Sequence, residues 1–184
     1  MKRVLPALVL LAGACSNPDN VINGGAAATA TTPIVQFTDV RSSISGVVTR
    51  TDSVDPSWVV VLSDQPGLCD AIALHPDLFR KAPAPYNAIV FFTPAERLGY
   101  FYIGRDPGTA GEIIAAGAPG QLGDAQRFTA MQGYVSLSDF AIKNGQTGKG
   151  TFDMIFVDPA NLGHEFYGRF KPSGCPALQY ALLP

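Results

Sequence analysis

Apolar residues recur at alternate positions in short stretches from Ser43 onward, and Gly, Pro and Asp separate these stretches. Alternation with a period of two indicates β-strands with one covered face, and only one short segment keeps a helical period. The pattern therefore predicts an all-β domain, either an antiparallel β-sandwich or a flattened barrel, with one short capping helix. The predicted strands span residues 44–51, 58–62, 87–93, 99–104, 112–116, 127–131, 134–137, 150–157 and 165–171.

The last two predicted strands carry the clearest alternation, and we expect them to pair through a turn at 158–163. Their residues on the shared face are Phe152, Met154 and Phe156 in the first strand and Phe166, Gly168 and Phe170 in the second. The strand at 58–62 differs because it is apolar on both faces, which is typical of a central strand covered on each side.

The predicted helix follows this central strand. Ser63 or Asp64 is a candidate N-cap, Pro66 falls in the first turn, and Pro76 ends the helix. The covered face of the helix is predicted to consist of Leu68, Ala71 and Ile72. Such a helix would lie over one end of the sheets.

The first fifteen residues have the three parts of a bacterial export signal. Lys2 and Arg3 precede an apolar run at 4–12, which is too short to span a bilayer, and two small residues precede Cys15. The segment 11–15 resembles a bacterial lipobox, although Ala12 stands where Leu is usual. We therefore expect cleavage after residue 14 and a lipid on Cys15. The alternative is an ordinary secretory signal followed by a stray cysteine.

Cys69 and Cys175 are the two remaining cysteines. Disulfides persist outside the cytoplasm, so an exported chain is expected to pair them, and the alternative is two buried free thiols. The pair closes a loop of 175 − 69 = 106 residues. Chain entropy alone gives such a bridge about 4–5 kcal/mol of stability.

Length and composition define the organisation of the chain. Its 184 residues suit one domain, which we place at 43–184 after a signal at 1–14. Residues 15–42 are rich in Asn, Gly, Ala and Thr and are predicted to form a flexible, lipid-anchored tether. The net charge is −2, and loss of Lys2 and Arg3 from the 13 basic residues leaves −4. Bulk charge therefore excludes attraction to nucleic acid.

A spaced pattern marks the C-terminal half: Gly-Tyr-Val-Ser-Leu at 133–137, Gly-Thr-Phe-Asp-Met-Ile-Phe at 150–156, Gly-Arg-Phe at 168–170, and Cys175. It resembles a group of small uncharacterised bacterial lipoproteins, seen notably in myxobacteria, that have a lipobox and a G-x-V-x-L, G-T-F-D-x-x-F, G-x-F, Cys pattern. The segment 60–69 also looks like that group's strand, turn and first cysteine. The resemblance implies a fold and no activity. By a similar likeness to Gram-negative lipoproteins, Ser16 after the cysteine favours the outer membrane of the cell envelope.

Two histidines limit any imidazole chemistry to His75 and His164. His75 falls at the predicted helix end, where it would interact with the last carbonyl groups. His164 lies near Asp158, Asn161 and Glu165, a set that offers oxygen and nitrogen ligands but matches no metal loop, so a solvated turn is the simpler interpretation. The sequence predicts no metal site and no cofactor.

Tyr100, Tyr102 and His164 are the candidate ligand contacts. Alternation should turn at least one aromatic side chain of 98–103 outward. An outward ring could stack on a sugar or seat a protein partner, or it could simply pack against loops. We find no activated nucleophile and no paired carboxylates, and therefore assign no catalytic residue.

These features favour an envelope lipoprotein that acts as a non-enzymatic binding or structural module. Its expected partners are the membrane, through the lipid on Cys15, and an envelope protein or glycan. The alternative is an envelope hydrolase built from dispersed carboxylates and His164.

Overall fold

The computed structural model describes residues 19–24, 37, 39–49, 56–80, 86–95, 97–116, 126–141, 147–157 and 163–183. The predicted signal at 1–14, the predicted lipid site Cys15 and the turn residues Asp158 and Asn161 lie outside the described residues.

Ten strands, one short α-helix and one 3₁₀-helix make up the described part of the chain, which confirms the predicted all-β class. The strands are β1 (Val21–Gly24), β2 (Ser42–Thr49), β3 (Pro56–Ser63), β4 (Tyr86–Pro94), β5 (Gly99–Tyr102), β6 (Ala110–Ala116), β7 (Gln126–Ala141), β8 (Thr147–Val157), β9 (Gly163–Phe170) and β10 (Ser173–Gly174). The helix α1 spans Leu68–Leu74, and the 3₁₀-helix spans Pro176–Tyr180.

The strands follow one hydrogen-bonded path, β1-β9-β8-β7-β6-β4-β3-β2-β10, with β5 added beside β7. This path curls into two facing layers. We call β1, β9, β8, β7 and β5 the outer sheet, and β6, β4, β3, β2, β10 and the start of β7 the central sheet. All described pairs are antiparallel except β10 with β2, which run parallel over two residues.

Strand β7 joins the two layers. Its residues 126–129 pair with β6, and its residues 130–141 pair with β8. The sequence predicted two strands here, whereas the structure has one strand with a bulge between Ala130 and Gln132. Gly133 follows at φ 132°, where a Cβ would overlap the carbonyl oxygen of Asp153. A bulge and a glycine look like a chain break in sequence, but here they let one strand bend between sheets.

Two apolar cores lie on the two faces of the central sheet. Trp58, Val60 and Leu62 face the outer sheet, while Val59 and Val61 face the layer formed by α1 and the 3₁₀-helix. All of β3 after Pro56 is buried, so the prediction of a central strand covered on both sides is confirmed.

In the pair formed by β8 and β9, each strand places a glycine opposite a phenylalanine of the other strand. Gly150 lies opposite Phe170, and Phe152 lies opposite Gly168. Each ring occupies space that a larger residue at the opposite glycine would need. A Cβ added to Gly150 would come within 2.8 Å of the Phe170 ring, and a Cβ added to Gly168 within 3.0 Å of the Phe152 ring. The Gly-Thr-Phe and Gly-Arg-Phe segments therefore encode a packing arrangement between two paired strands. The predicted pairing of these strands is confirmed.

The disulfide between Cys69 and Cys175 is present. It joins α1 to the segment that precedes the 3₁₀-helix, and the backbone N–H of Cys175 donates to the carbonyl of Ser45 in β2 (2.7 Å). The predicted bridge is confirmed. The helix that it holds lies on a face of the central sheet and not, as predicted, over one end of the sheets.

The start of α1 differs from the prediction. The N-cap position is Gly67, and Pro66 precedes the helix. Asp64 instead accepts hydrogen bonds from the backbone and side-chain amides of Asn87, at 2.7 and 2.8 Å. The Ser63 hydroxyl similarly donates to the Asn87 carbonyl (2.8 Å), so both predicted caps hold β3 against β4. The end of the helix before Pro76 agrees with the prediction.

The hydroxyl of Ser42 takes the capping role. It accepts a hydrogen bond from the backbone N–H of Leu68 (3.2 Å), the first residue of α1, and donates to the carbonyl of Gln65 (2.5 Å). A strand residue 26 positions away thus satisfies one of the free N–H groups at the helix start.

The predicted flexible tether is wrong for residues 19–24. Val21–Gly24 pair with Phe166–Arg169 as an edge strand, and Asn20 is buried. Farther along the predicted tether, the Phe37 ring packs edge-on against Phe166, with centroids 6.0 Å apart. Strand pairing between residues more than 140 positions apart leaves no local pattern in sequence, which is why composition alone suggested a tether.

Tyr86 links β4 to the segment that follows α1. Its buried phenol donates a hydrogen bond to the carbonyl of Leu78 (2.9 Å). We expect Tyr86→Phe to lower the free energy of unfolding by about 1–3 kcal/mol, because the carbonyl loses its partner inside the core. Urea denaturation at neutral pH measures this loss. An unchanged midpoint would contradict the prediction.

Burial also raises the pKa of Tyr86 above its ordinary value of about 10, against the opposing effect of Arg127. Above about pH 10 the unfolded chain releases this proton while the folded chain keeps it. The free energy of unfolding therefore falls as pH rises past this value, by up to about 1.4 kcal/mol per pH unit, and is unaffected below it. Tyr86→Phe should remove this contribution to the pH dependence of the free energy of unfolding. Urea midpoints measured below and above pH 10 test this.

Candidate functional site

The face of the outer sheet that points away from the core, which we call the open face, carries a cluster of tyrosines. Tyr100 and Tyr102 on β5 are 62% and 41% exposed, while Phe101 between them is buried in the core. The alternation expected of a strand thus directs two of the three predicted ligand-contact residues, Tyr100 and Tyr102, outward, whereas the third, His164, is buried. The cluster is completed by Tyr134 on β7, the direct cross-strand partner of Tyr102.

The three rings lie close together. Tyr100 and Tyr102 are nearly parallel, with an interplanar angle of 20° and centroids 6.4 Å apart. Tyr134 lies 5.6 Å from Tyr100 and 6.3 Å from Tyr102, tilted by just over 50° to each. Arg105 stands over the Tyr102 ring at 5.7 Å. These contacts bring three aromatic rings and a guanidinium together on one surface.

A groove of about 480 Å³ runs beside this cluster. Register places Asp153 between Tyr134 on one side and Tyr167 on the other, so two tyrosines form the walls and a carboxylate the floor. Tyr167 is 47% exposed. Asn23 on β1 and Arg169 on β9 add an amide and a guanidinium at the margin. The groove therefore offers aromatic faces, hydrogen-bond donors and acceptors within one rigid sheet.

The sequence did not identify Tyr134, Asp153 and Tyr167 as site residues. Their alternation marks them as outward-facing, but only the register of β7, β8 and β9 brings them into one row. The sequence predicted the pairing of β8 with β9 but not that of β7 with β8, on which the position of Tyr134 beside Asp153 depends.

A second hollow, also of about 480 Å³, continues from the groove toward the other end of the open face and shares Thr151 and Arg169 with it. Lys149 and Lys171 bring two further cations to this hollow. Each lysine faces an aspartate: Lys149 Nζ is 3.9 Å from Asp139 Oδ2, and Lys171 Nζ is 3.1 Å from Asp19 Oδ2.

The histidines do not form part of this site. His75 lies exposed at the C-cap of α1, the helix end at which the sequence placed it. His164 is buried within β9 and faces the core, which corrects the prediction of a solvated turn. Its neighbour Glu165 is exposed on the opposite face of the same strand. The two side chains therefore point away from each other and do not form a joint acid-base pair.

Within the described ranges, no group of three or more His, Cys, Asp and Glu side chains is arranged to hold a metal ion. In the same part of the chain, no helix has the length and apolar character needed to cross a bilayer.

Comparison of the whole chain with protein-family models, with curated proteins and with solved structures finds no match. The open face therefore has to be interpreted from its own chemistry.

Proposed function

We propose that this chain is an envelope lipoprotein, anchored by a lipid on Cys15, whose domain binds a glycan on the open face of the outer sheet without catalysing a reaction. The observation that carries the proposal is the row formed by Tyr134, Asp153 and Tyr167, with Tyr100 and Tyr102 beside it.

A glycan fits this row because a sugar ring has an apolar C–H face and a polar rim of hydroxyl groups. The tyrosine faces suit the apolar face, and the carboxylate of Asp153 and the amide of Asn23 suit the hydroxyls. A stable protein interface needs about 800 Å² of surface on each partner, whereas a segment of a glycan can be bound by the groove alone. The groove is open along the sheet, which suits one segment of a longer polymer.

The site lies on paired strands, not on loops. Cross-strand bonds hold β5, β7, β8 and β9 in register beneath the side chains, so little order has to be gained when a ligand binds. The disulfide between Cys69 and Cys175 supports export, because such bridges persist in oxidising compartments. The lipobox-like segment at 11–15 and its resemblance to envelope lipoproteins support the anchor.

Sedimentation with purified peptidoglycan and with insoluble envelope polysaccharide tests glycan binding. We expect Tyr134→Ala and Tyr167→Ala each to weaken binding roughly tenfold, because each removes an aromatic contact of about 1–1.5 kcal/mol. Tyr180→Ala is the matched control. This tyrosine is 70% exposed but belongs to the 3₁₀-helix on the other side of the central sheet.

Equal binding by all three variants would contradict the assignment of the groove, and no binding to any envelope polysaccharide would contradict the proposed function. Intact-mass measurement of protein purified from membranes tests the anchor separately. A diacylglycerol adduct on Cys15 is expected, and an unmodified cysteine would contradict it.

A further inference from the structure

The first described residues are fixed to the end of β9. The Asn20 side-chain oxygen accepts a hydrogen bond from the backbone N–H of Lys171 (2.8 Å), and Lys171 Nζ donates to Asp19 (3.1 Å). Strand β1 follows immediately and pairs with β9 over four residues. The chain is therefore attached to β9 over residues 19–24.

This attachment limits the distance between the domain and the proposed lipid site. Only residues 16–18 separate Cys15 from Asp19. An extended chain advances at most about 3.6 Å per residue, so the Cα atoms of Cys15 and Asp19 are at most about 14 Å apart. A lipid on Cys15 would consequently hold the Asp19 end of the outer sheet against the membrane surface, and not display the domain at a distance.

Basic residues surround this end of the domain. Lys149, Arg169 and Lys171 line the second hollow, which Asp19 also borders. Arg41 and Lys171 line a third hollow, of about 270 Å³, which Asn20 borders. We call these four residues, Arg41, Lys149, Arg169 and Lys171, the basic rim. The chain carries a net charge of −4 once Lys2 and Arg3 are removed, whereas the two hollows are lined by these four cations and by two acidic residues, Asp19 and Asp70.

The aspartates near the rim compensate only part of this charge. The pair of Lys149 with Asp139 spans 3.9 Å between side chains that are more than half exposed, so it contributes little. Arg169 has no ion-pair partner within the described part of the chain. Its guanidinium remains available to an incoming anion and is suited to bind phosphate with two parallel hydrogen bonds.

We propose that the basic rim binds the phosphate groups of anionic lipids and thereby docks the domain on the membrane that holds its anchor. The proposal rests on the lipid anchor of the proposed function. Because Arg169 also borders the glycan groove, docking and glycan binding are tested by separate readouts. Two observations support it together: the short linker delivers the rim to the lipid surface, and the charge of the rim matches anionic headgroups.

The single tryptophan offers a probe that needs no protein label. Trp58 is fully buried directly behind the rim, where its ring packs on Gly148 and lies 6.2 Å from the Phe170 ring. The native lipidated protein is reconstituted in phosphatidylcholine vesicles with or without phosphatidylglycerol, each with a trace of headgroup-dansylated lipid. Energy transfer from Trp58 to dansyl then reports how closely the rim approaches the surface.

We expect stronger transfer on vesicles that contain phosphatidylglycerol, falling to the phosphatidylcholine level as salt is added. Each basic residue near an anionic surface favours contact by roughly fivefold, so Lys149→Gln and Arg169→Gln, made singly, should each shift the ratio of docked to undocked protein by roughly fivefold. Arg127→Gln is the matched control, because Arg127 lies at the start of β7. It is far along that strand from Ser138, which lines the same hollow as Lys149 and Arg169.

Equal transfer on both vesicle types would overturn the docking proposal, and so would an equal loss in Arg127→Gln, which would indicate bulk charge. An unmodified Cys15 would overturn the docking proposal and the anchor while leaving glycan binding to its own test. A further outcome is salt-sensitive energy transfer in a protein that fails to co-sediment with every polysaccharide tested. That result would support docking and contradict the proposed glycan site.

Discussion

Replacement of both Cys69 and Cys175 by alanine is expected to lower the free energy of unfolding by about 4–5 kcal/mol. The bridge closes a loop with a sequence separation of 106, and the unfolded chain regains the entropy of that loop when the bridge is removed. Substitution of both cysteines avoids leaving a free thiol that could form other disulfides. Urea denaturation of chain produced without its signal measures the change.

The structure indicates where this loss should act first. The bridge holds α1 to the C-terminal segment over the second core, where Leu68, Ile72 and Leu178 are buried. Hydrogen exchange should therefore rise most in α1 and the 3₁₀-helix, and least in β3 and β4, which are buried between two layers. The reduced native protein is the control and should show the same midpoint as the double variant. An unchanged midpoint of the variant under non-reducing conditions would contradict the predicted contribution of the bridge.

Periodicity predicted the strands well because it reports a property that each strand carries locally. Alternating apolar residues located β8 and β9, and continuous apolar character identified β3 as central. The two cysteines could be paired from the sequence because disulfides are expected in an exported chain. The features that the sequence missed depend on partners far along the chain, as with β1 beside β9 and the cap of α1 supplied by Ser42.

Only part of the candidate site was predicted, because local alternation gives the direction of a side chain and not its neighbours on other strands. Tyr100 and Tyr102 could be recognised because alternation alone turns them outward. Tyr134 and Tyr167 could not be joined to them, since the row that they form with Asp153 exists only in the register of three strands. His164 was misjudged because nearby polar residues suggested a turn, whereas its place opposite Phe156 directs it to the covered face.

Phe170→Ala is expected to lower the free energy of unfolding by about 3–5 kcal/mol. The fully buried ring lies 4.9 Å from the Phe91 ring and 6.2 Å from the Trp58 ring, and so joins the outer sheet to the central sheet. It also fills the space above Gly150 on the neighbouring strand. Alanine would leave a cavity bordered by both sheets, and a glycine opposite it cannot supply atoms to fill that cavity.

A matched pair of variants separates this packing effect from a general weakening of β9. Glu165→Ala changes an exposed residue of the same strand and should alter stability by no more than about 0.5 kcal/mol. Phe170→Leu keeps much of the apolar volume and should lie between alanine and the native residue. Because Phe170 is flanked by Arg169 and Lys171, loss of its ring should also loosen the support beneath the basic rim. Urea midpoints give the stability order, and comparable losses in Phe170→Ala and Glu165→Ala would contradict the proposed role of the ring in joining the sheets.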